Sequence, residues 1–238
     1  MCTTSARHTV VRPAGKAAGR RPRPPVIRGG STSYRGAVIL PLPIGEFDAY
    51  LFDCDGTVAD SMPLHFLAWR QALGEWGCEL SEELFHAWAG RTVPDIITDL
   101  NAEQGLAMPV AVVADRHLEL YREMLPKLAA VPGVLEHIED AQGRIPFAIV
   151  SGSSRESVTA SLTTLGLLDR FDVLVCAGDC PRAKPAPDPF LLAARQLGVD
   201  PGRCLVFEDA DNGIRSAQAA GMAWVRVPAP RQRPTAQG

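Results

Sequence analysis

Ala49-Tyr50-Leu51-Phe52-Asp53-Cys54-Asp55-Gly56-Thr57-Val58-Ala59-Asp60-Ser61 is the stretch on which the fold turns. A short apolar run ends in two aspartates two positions apart, and Gly-Thr follows at once. A continuous apolar run of this kind reads as a strand buried on both faces. Residues i and i+2 of an extended segment point to the same side. Asp53 and Asp55 are therefore expected to converge beyond the end of a strand. Carboxylates crowded that way repel each other unless a cation or a proton sits between them. The arrangement costs a fold stability and is useful for chemistry.

Outward from this stretch, short apolar runs alternate with helical ones. Further strands are expected at Phe147-Ala148-Ile149-Val150, Val173-Leu174-Val175, Cys204-Leu205-Val206-Phe207 and Trp224-Val225-Arg226-Val227. Helices are expected around Arg155 to Leu165, Asp188 to Leu197 and Asn212 to Ala220. This alternation predicts an α/β fold with a doubly wound parallel sheet, a Rossmann-like core. Ligands in such sheets bind beyond the strand C-termini. From about Met62 to Val131 the pattern is helical throughout. Helices are expected from Leu64, after Ser81, at Pro94 and over Val110 to Leu128. The reading is a helical cap over 62–131 inserted after the first strand. The core is then 46–61 with 132–228, and two crossings side by side make a natural hinge for a lid.

The 238 residues, 46% hydrophobic and 21% charged, suffice for one substantial domain with an insert. No apolar run approaches the ~20 residues of a membrane span. The net charge of -3 hides an asymmetry. Residues 1–45 carry seven Arg, one Lys and no acid, leaving 16 basic and 27 acidic residues for the rest. So acidic a body is a poor nucleic-acid binder, and it suits recruitment of a divalent cation. Residues 1–45 read as a disordered or targeting extension (a transit peptide, a stretch upstream of the true start, or a basic interaction tail), and residues 229–238 as a flexible tail. The six cysteines show no zinc spacing and fit buried thiols in a reducing cytoplasm.

Three later strands run into polar residues. Ser151-Gly152-Ser153-Ser154 follows the second, and a hydroxyl beside free backbone N–H groups makes an anion site. Alone, a serine of this run is more simply a helix N-cap. Lys184 stands in Lys184-Pro185-Ala186-Pro187-Asp188, where a lone lysine is ordinarily a surface charge. Glu208-Asp209 follows the fourth strand and could merely cap the next helix. With another acid pair near in the sheet, these two read better as magnesium ligands. The three signals together place an anion site, a cation and two acid pairs at one sheet edge.

Over roughly Phe47 to Val227 the chain resembles the haloacid dehalogenase-like phosphatase superfamily. The likeness is to the subgroup of beta-phosphoglucomutase and small sugar phosphatases. Asp53-Cys54-Asp55-Gly56-Thr57, Ser151-Gly152-Ser153, Lys184-Pro185 and Glu208-Asp209 are that family's four motifs, in order. The resemblance implies that Asp53 is a nucleophile and Asp55 an acid and base, protonated when substrate binds. It implies magnesium (Mg2+) at Asp53, the backbone carbonyl of Asp55 and Asp209, with Glu208 as a further ligand or neighbour. It implies phosphate binding by Ser151, Gly152 and Lys184, with Lys184 also paired to Asp53, and it gives Thr57 a turn role. Dehalogenases and phosphonatases do without the second aspartate, so Asp55 favours phosphate esters.

Leu64-His65-Phe66-Leu67-Ala68-Trp69-Arg70 looks like the mutase cap, with His65 near Asp55. The mutases hold a distal phosphate with a cap arginine and a cap lysine. Here the arginine's position is Val93, with Arg91 two residues earlier, and the lysine's is His117. Loss of both cations favours a phosphatase over a mutase. The loops at Lys184 and Glu208 are also similar to fructose-1-phosphate and 6-phosphogluconate phosphatases. The expectation is a monomeric, cytoplasmic enzyme acting on a small phosphorylated metabolite. A phosphosugar mutase and a non-catalytic phosphate-binding module are the alternatives.

Overall fold

The structure, a computed structural model, describes residues 40–88 and 92–228. Arg91, most of the N-terminal extension and the tail from 229 lie outside the described residues. Five strands form one sheet: β1 (Ala49–Phe52), β2 (Phe147–Val150), β3 (Val173–Val175), β4 (Cys204–Glu208) and β5 (Ala223–Arg226). Their order is β3-β2-β1-β4-β5 and every pair is parallel. β1 is the central strand, and the chain winds from it first to one side and then to the other.

The period of two along each strand sorts its side chains into two cores. Tyr50, Phe52, Phe147, Ile149, Leu205 and Phe207 face α5 (Val134–Ala141) and α6 (Arg155–Thr164) through Val134, Ile138, Val158 and Leu162. Ala49, Leu51, Ala148, Val150, Cys204 and Val206 face α7 (Asp188–Leu197) and α8 (Asp211–Ala219) through Phe190, Ala193 and Ala217. Helices on both faces bury all four residues of β1 and β2, which is why these strands are apolar throughout. α5 falls where sequence periodicity predicted no helix. It has only two turns, and its start is fixed by Gly133 N–H donating to the Glu136 carboxylate at 2.5 Å.

Between β1 and α5 the chain forms α1 (Met62–Gly74), α2 (Glu82–Ala87), α3 (Val93–Gln104) and α4 (Val110–Met124). These helices carry their own apolar clusters. One joins Trp69, Leu73, Phe85, Ile97, Leu100 and Val113, and another joins Leu64, Ala68, Leu120 and Tyr121. The two crossings to the core run antiparallel. Asp60 N–H donates to the Ala129 carbonyl at 2.8 Å, and Val131 N–H to the Val58 carbonyl at 3.0 Å. Among the described residues no helix is long and apolar enough to cross a membrane.

One expectation is corrected. The extension expected over 1–45 does not stay loose up to its boundary. Leu40 is buried among Tyr50, Ile138 and Phe147, and Leu42 packs against the same cluster. The buried His137 ring bonds the Leu40 carbonyl at 2.8 Å. Leu40 and Leu42 supply an apolar i, i+2 pair, and that pair outweighs the disorder signalled by the neighbouring prolines.

Candidate active site

The C-terminal ends of β1, β2 and β4 meet at the sheet's centre, and each delivers polar side chains. β1 ends at Phe52, so Asp53 is the first residue beyond it, with its N–H bonded to the Phe207 carbonyl at 2.9 Å. Glu208 is the last residue of β4, and Asp209 follows. Asp53, Glu208 and Asp209 bring one carboxylate oxygen each to within 4.8 Å of one another. The Lys184 ammonium enters from the loop after β3 and donates to Asp53 Oδ1 and Glu208 Oε2, both at 2.7 Å. Its side chain is 11% exposed, so it is not the surface charge its proline-rich loop suggested.

Two glycines make this crowding possible. A Cβ on Gly56, whose φ is +88°, would lie 2.4 Å from Asp209 Oδ2. A Cβ on Gly213 would lie 1.9 Å from Glu208 Oε2. The Thr57 hydroxyl, fully buried, donates to Asp209 Oδ1 at 3.2 Å, and Ala210 N–H donates to Glu208 Oε1 at 3.1 Å. Thr57 therefore does more than shape a turn.

Two buried acids, Asp53 and Glu208, and the half-buried Asp209 face one ammonium, and their proton affinities record the deficit. Burial pushes the Asp53 carboxyl up to about 8; the Glu208 charge adds to this and Lys184 opposes it. Burial, with Asp53 beside it, pushes Asp209 up to about 7. Burial raises Glu208 too, against the pull of Lys184. Burial would lower Lys184, but Asp53 and Glu208 hold its ammonium well above the ordinary lysine value. A set of hard, crowded oxygen donors short of positive charge fits a small divalent cation.

Asp55 takes different partners. Its Oδ1 accepts from the Ser61 hydroxyl at 2.7 Å and lies 3.2 Å from His65 Nε2. Its Oδ2 accepts from the Ser153 hydroxyl at 2.6 Å and the Ser151 hydroxyl at 3.4 Å. The Asp53 and Asp55 side chains thus share no hydrogen-bond partner, and the Asp55 carboxylate stands outside the three-acid cluster. The expected upward shift of Asp55 is also reversed. Burial does push it up, but His65 and the Ser153 and Ser61 hydroxyls hold it well below the usual carboxylate range. Hydrogen bonds to the anion outweigh desolvation here.

The capping alternative for Ser151 falls away, because Ser154 caps α6 by accepting from Ser157 N–H at 3.2 Å. Ser151 instead accepts from Ser153 N–H at 3.0 Å. A Cβ on Gly152 would meet no protein atom within 4 Å, so space is open beside this loop. His65 and His117 lie together, His65 Nδ1 being 3.2 Å from His117 Nε2. Burial against its neighbours and the adjacent His65 pull His117 down to about 3, so it is neutral near physiological pH. Sequence reasoning gave no role to Ser61 and Ser153. Ser153 stood inside a motif it had quoted; for Ser61 the only signal was its place at the start of α1.

Residues 47–221 match the sequence profile of a family described as haloacid dehalogenase-like hydrolases. The chain is 37% identical over 185 residues to the fructose-1-phosphate phosphatase YqaB of Escherichia coli, covering 76% of this chain and 97% of that protein. Its structure is similar to that of CbbY from Rhodobacter sphaeroides in complex with phosphate. The TM-score there is 0.72 at 26% identity, over 81% of this chain and 91% of the other. It is also similar to a putative beta-phosphoglucomutase from Thermotoga maritima, with TM-score 0.60 and 28% identity, over 74% and 82% of the two chains.

Proposed function

The chain belongs to the haloacid dehalogenase-like hydrolase family, and from that membership we propose that it is a phosphatase of small sugar phosphates. The observation that carries the reading is the meeting of Asp53, Lys184, Glu208 and Asp209 at one strand edge, with Asp55 beside them. Its 37% identity to a fructose-1-phosphate phosphatase supports a sugar phosphate as substrate.

Asp53 attacks phosphorus, forming a bond from its carboxylate oxygen as the bond to the sugar oxygen breaks. Asp55 gives that leaving oxygen a proton. Water then attacks the aspartyl-phosphate, Asp55 takes the water's proton, and inorganic phosphate leaves with Asp53 restored. Ser151 and the Gly152 backbone hold phosphoryl oxygens, and Lys184 offsets charge between Asp53 and the phosphate. Mg2+ would be held by Asp53, Asp209 and the backbone carbonyl of Asp55, with Glu208 alongside. When bound it supplies charge compensation for the attack of an anion on an anion. Asp55 as arranged is a proton acceptor, the role needed in the second half of the reaction. The donor role of the first half requires that desolvation by substrate and cap outweigh its hydroxyl and imidazole donors.

A mutase must grip a second phosphate, and His117, neutral and tied to His65, brings no charge for that. The cap over 62–131 closes on the cleft and sets the substrate, and the protein acts as a monomer. The five described cysteines are free, which supports a reducing compartment such as the cytoplasm. A panel of sugar phosphates assayed with Mg2+, including fructose 1-phosphate, tests the reading. It should include beta-glucose 1-phosphate with and without a sugar bisphosphate. Free phosphate is expected from the wild type and none from Asp53→Asn. Glucose 6-phosphate formed without free phosphate would overturn the phosphatase in favour of a mutase.

A further inference from the structure

α1 and α4 each carry two rings one turn apart: His65 and Trp69 on the first, His117 and Tyr121 on the second. The four rings interleave. His65 lies flat against Tyr121, with centroids 3.9 Å apart and planes 9° apart. His117 lies flat against Trp69, at 4.1 Å and 13°. The Tyr121 hydroxyl is 2.8 Å from the Ser161 hydroxyl on α6, so the stack is tied to the core. At its edge, one line of nitrogens runs from His117 Nε2 to His65 Nδ1, and from His65 Nε2 to Asp55 Oδ1.

Stacking fixes the plane of the His65 ring and not its edge. A half-turn about the Cβ–Cγ bond leaves the ring in the same slot, and it replaces both nitrogens facing Asp55 and His117 with carbons. Asp55 favours the orientation that faces it with Nε2, and His117 adds to that preference by giving Nδ1 a partner in the same orientation alone. We propose that His117 is a positioning residue for the proton-transfer carboxylate, holding His65 in the ring orientation that presents Nε2 to Asp55. The inference rests on the phosphatase reading for its kinetic consequence and not for its geometry. Neutral His117 can accept from His65 Nδ1–H or donate to a bare Nδ1. It therefore keeps its bond whichever way His65 is protonated. His117 acts through His65, not on the sugar phosphate.

Two variants test this. His117→Phe keeps the stack on Trp69 and removes both hydrogen-bonding roles. His117→Gln keeps an acceptor and a donor. The expected loss in kcat for His117→Phe is about tenfold, the worth of one hydrogen bond, with KM nearly unchanged. His117→Gln is expected to recover most of it, at equal melting temperature. A KM rise with kcat unchanged would assign His117 to substrate and overturn the proposal, as would full activity in His117→Phe. If His117→Phe does not fold, His117→Leu, which also removes both roles, takes its place, and kcat equal to that of His117→Gln overturns the proposal. A second readout needs no substrate: proton–nitrogen correlation spectra of the His65 ring. The wild type is expected to show one tautomer with a protected Nδ1 contact, and His117→Phe a mixture. Unchanged His65 signals would overturn the proposal. If the wild type hydrolyses no sugar phosphate while these spectra behave as expected, the function fails and the positioning stands.

Discussion

The acid cluster makes the cation-depleted protein lose stability as pH rises, and it makes Asp53→Asn, which removes the proposed nucleophile, a stabilising substitution. Burial raises the Asp53 carboxyl from the ordinary 3.8 to about 8 in the folded chain. Between those values the folded protein holds a proton that the unfolded chain releases. The stabilisation is thus complete below about pH 4 and lost as pH rises through 8. One extra bound proton corresponds to a slope of about 1.4 kcal/mol per pH unit. From pH 5 to pH 7, Asp53 alone accounts for about 3 kcal/mol, or about 6–12 °C in Tm for a chain of this size. Asp209, pushed up to about 7, slopes the same way. The Asp53 charge raises Asp209, and Glu208 raises Asp53, so the titrations are linked and their slopes do not add in full. Asp55, held low, has the opposite sign: its stabilisation is present across this window and is lost only in strong acid. Asparagine at 53 keeps an oxygen for Lys184 and carries no charge. Melting curves in chelator at pH 5, 6, 7 and 8 are the assay, repeated in millimolar Mg2+. The wild-type Tm should fall with pH, the Asp53→Asn curve should be flatter and higher at pH 8, and Mg2+ should narrow the gap. A flat wild-type curve, or Asp53→Asn no more stable than wild type at pH 8, would refute the electrostatic account.

Gly213→Ala puts a Cβ 1.9 Å from Glu208 Oε2 and 2.0 Å from its Cδ. Glu208 must then leave Lys184, at a cost of about 3–5 kcal/mol for a broken buried pair. Urea denaturation should show that loss, and titration calorimetry should show weaker Mg2+ binding. Wild-type stability in this variant would mean Glu208 has room the geometry denies it. Leu40→Ala should cost about 2–4 kcal/mol, because the side chain is buried in the main core and not in a loose extension. A change within about 0.5 kcal/mol would place that segment outside the cooperative unit.

The sheet was legible because both faces of its central strands are buried. That burial leaves an unbroken apolar run at Tyr50-Leu51-Phe52 and Phe147-Ala148-Ile149-Val150 that a surface strand would not show. The end strand is harder to place. β5 occupies 223–226, one residue earlier than read, because at the sheet edge Trp224 is partly exposed and apolar character no longer marks the register. α5 was missed because two turns give too short a sample of the helical period. Leu40 and Leu42 escape notice because Pro41 and Pro43 break the apolar run they stand in, whereas burial depends on two particular side chains. Lys184 shows the limit most clearly. Its loop reads as surface, and only the return of β4 beside β1 encloses it between Asp53 and Glu208.

Asp53 and Asp55 feel each other's charge, as expected of a pair, but they take different hydrogen-bond partners for a local reason. Same-side placement of i and i+2 holds only while the chain is extended. β1 stops at Phe52, and the chain turns at Gly56, where a positive φ and the absence of a Cβ let Asp209 close in. Asp53 stays in line with the strand and meets the acids of β4. Asp55, inside the turn and just before Gly56, meets Ser151 and Ser153 after β2 and His65 on α1. Environments that push two carboxyls apart assign them different tasks. Here the push runs against the proposed tasks: Asp53, the proposed nucleophile, is held toward its proton and Asp55, the proposed proton carrier, toward its anion. Each is reversed by a different agent. A cation among Asp53, Glu208 and Asp209 frees the nucleophile. A change in the contacts of Ser61, Ser153 and His65 is needed to protonate Asp55. Ser61 and His65 lie at the start of α1, so under the proposed cap closure a shift of α1 would act directly on Asp55, the proposed proton carrier.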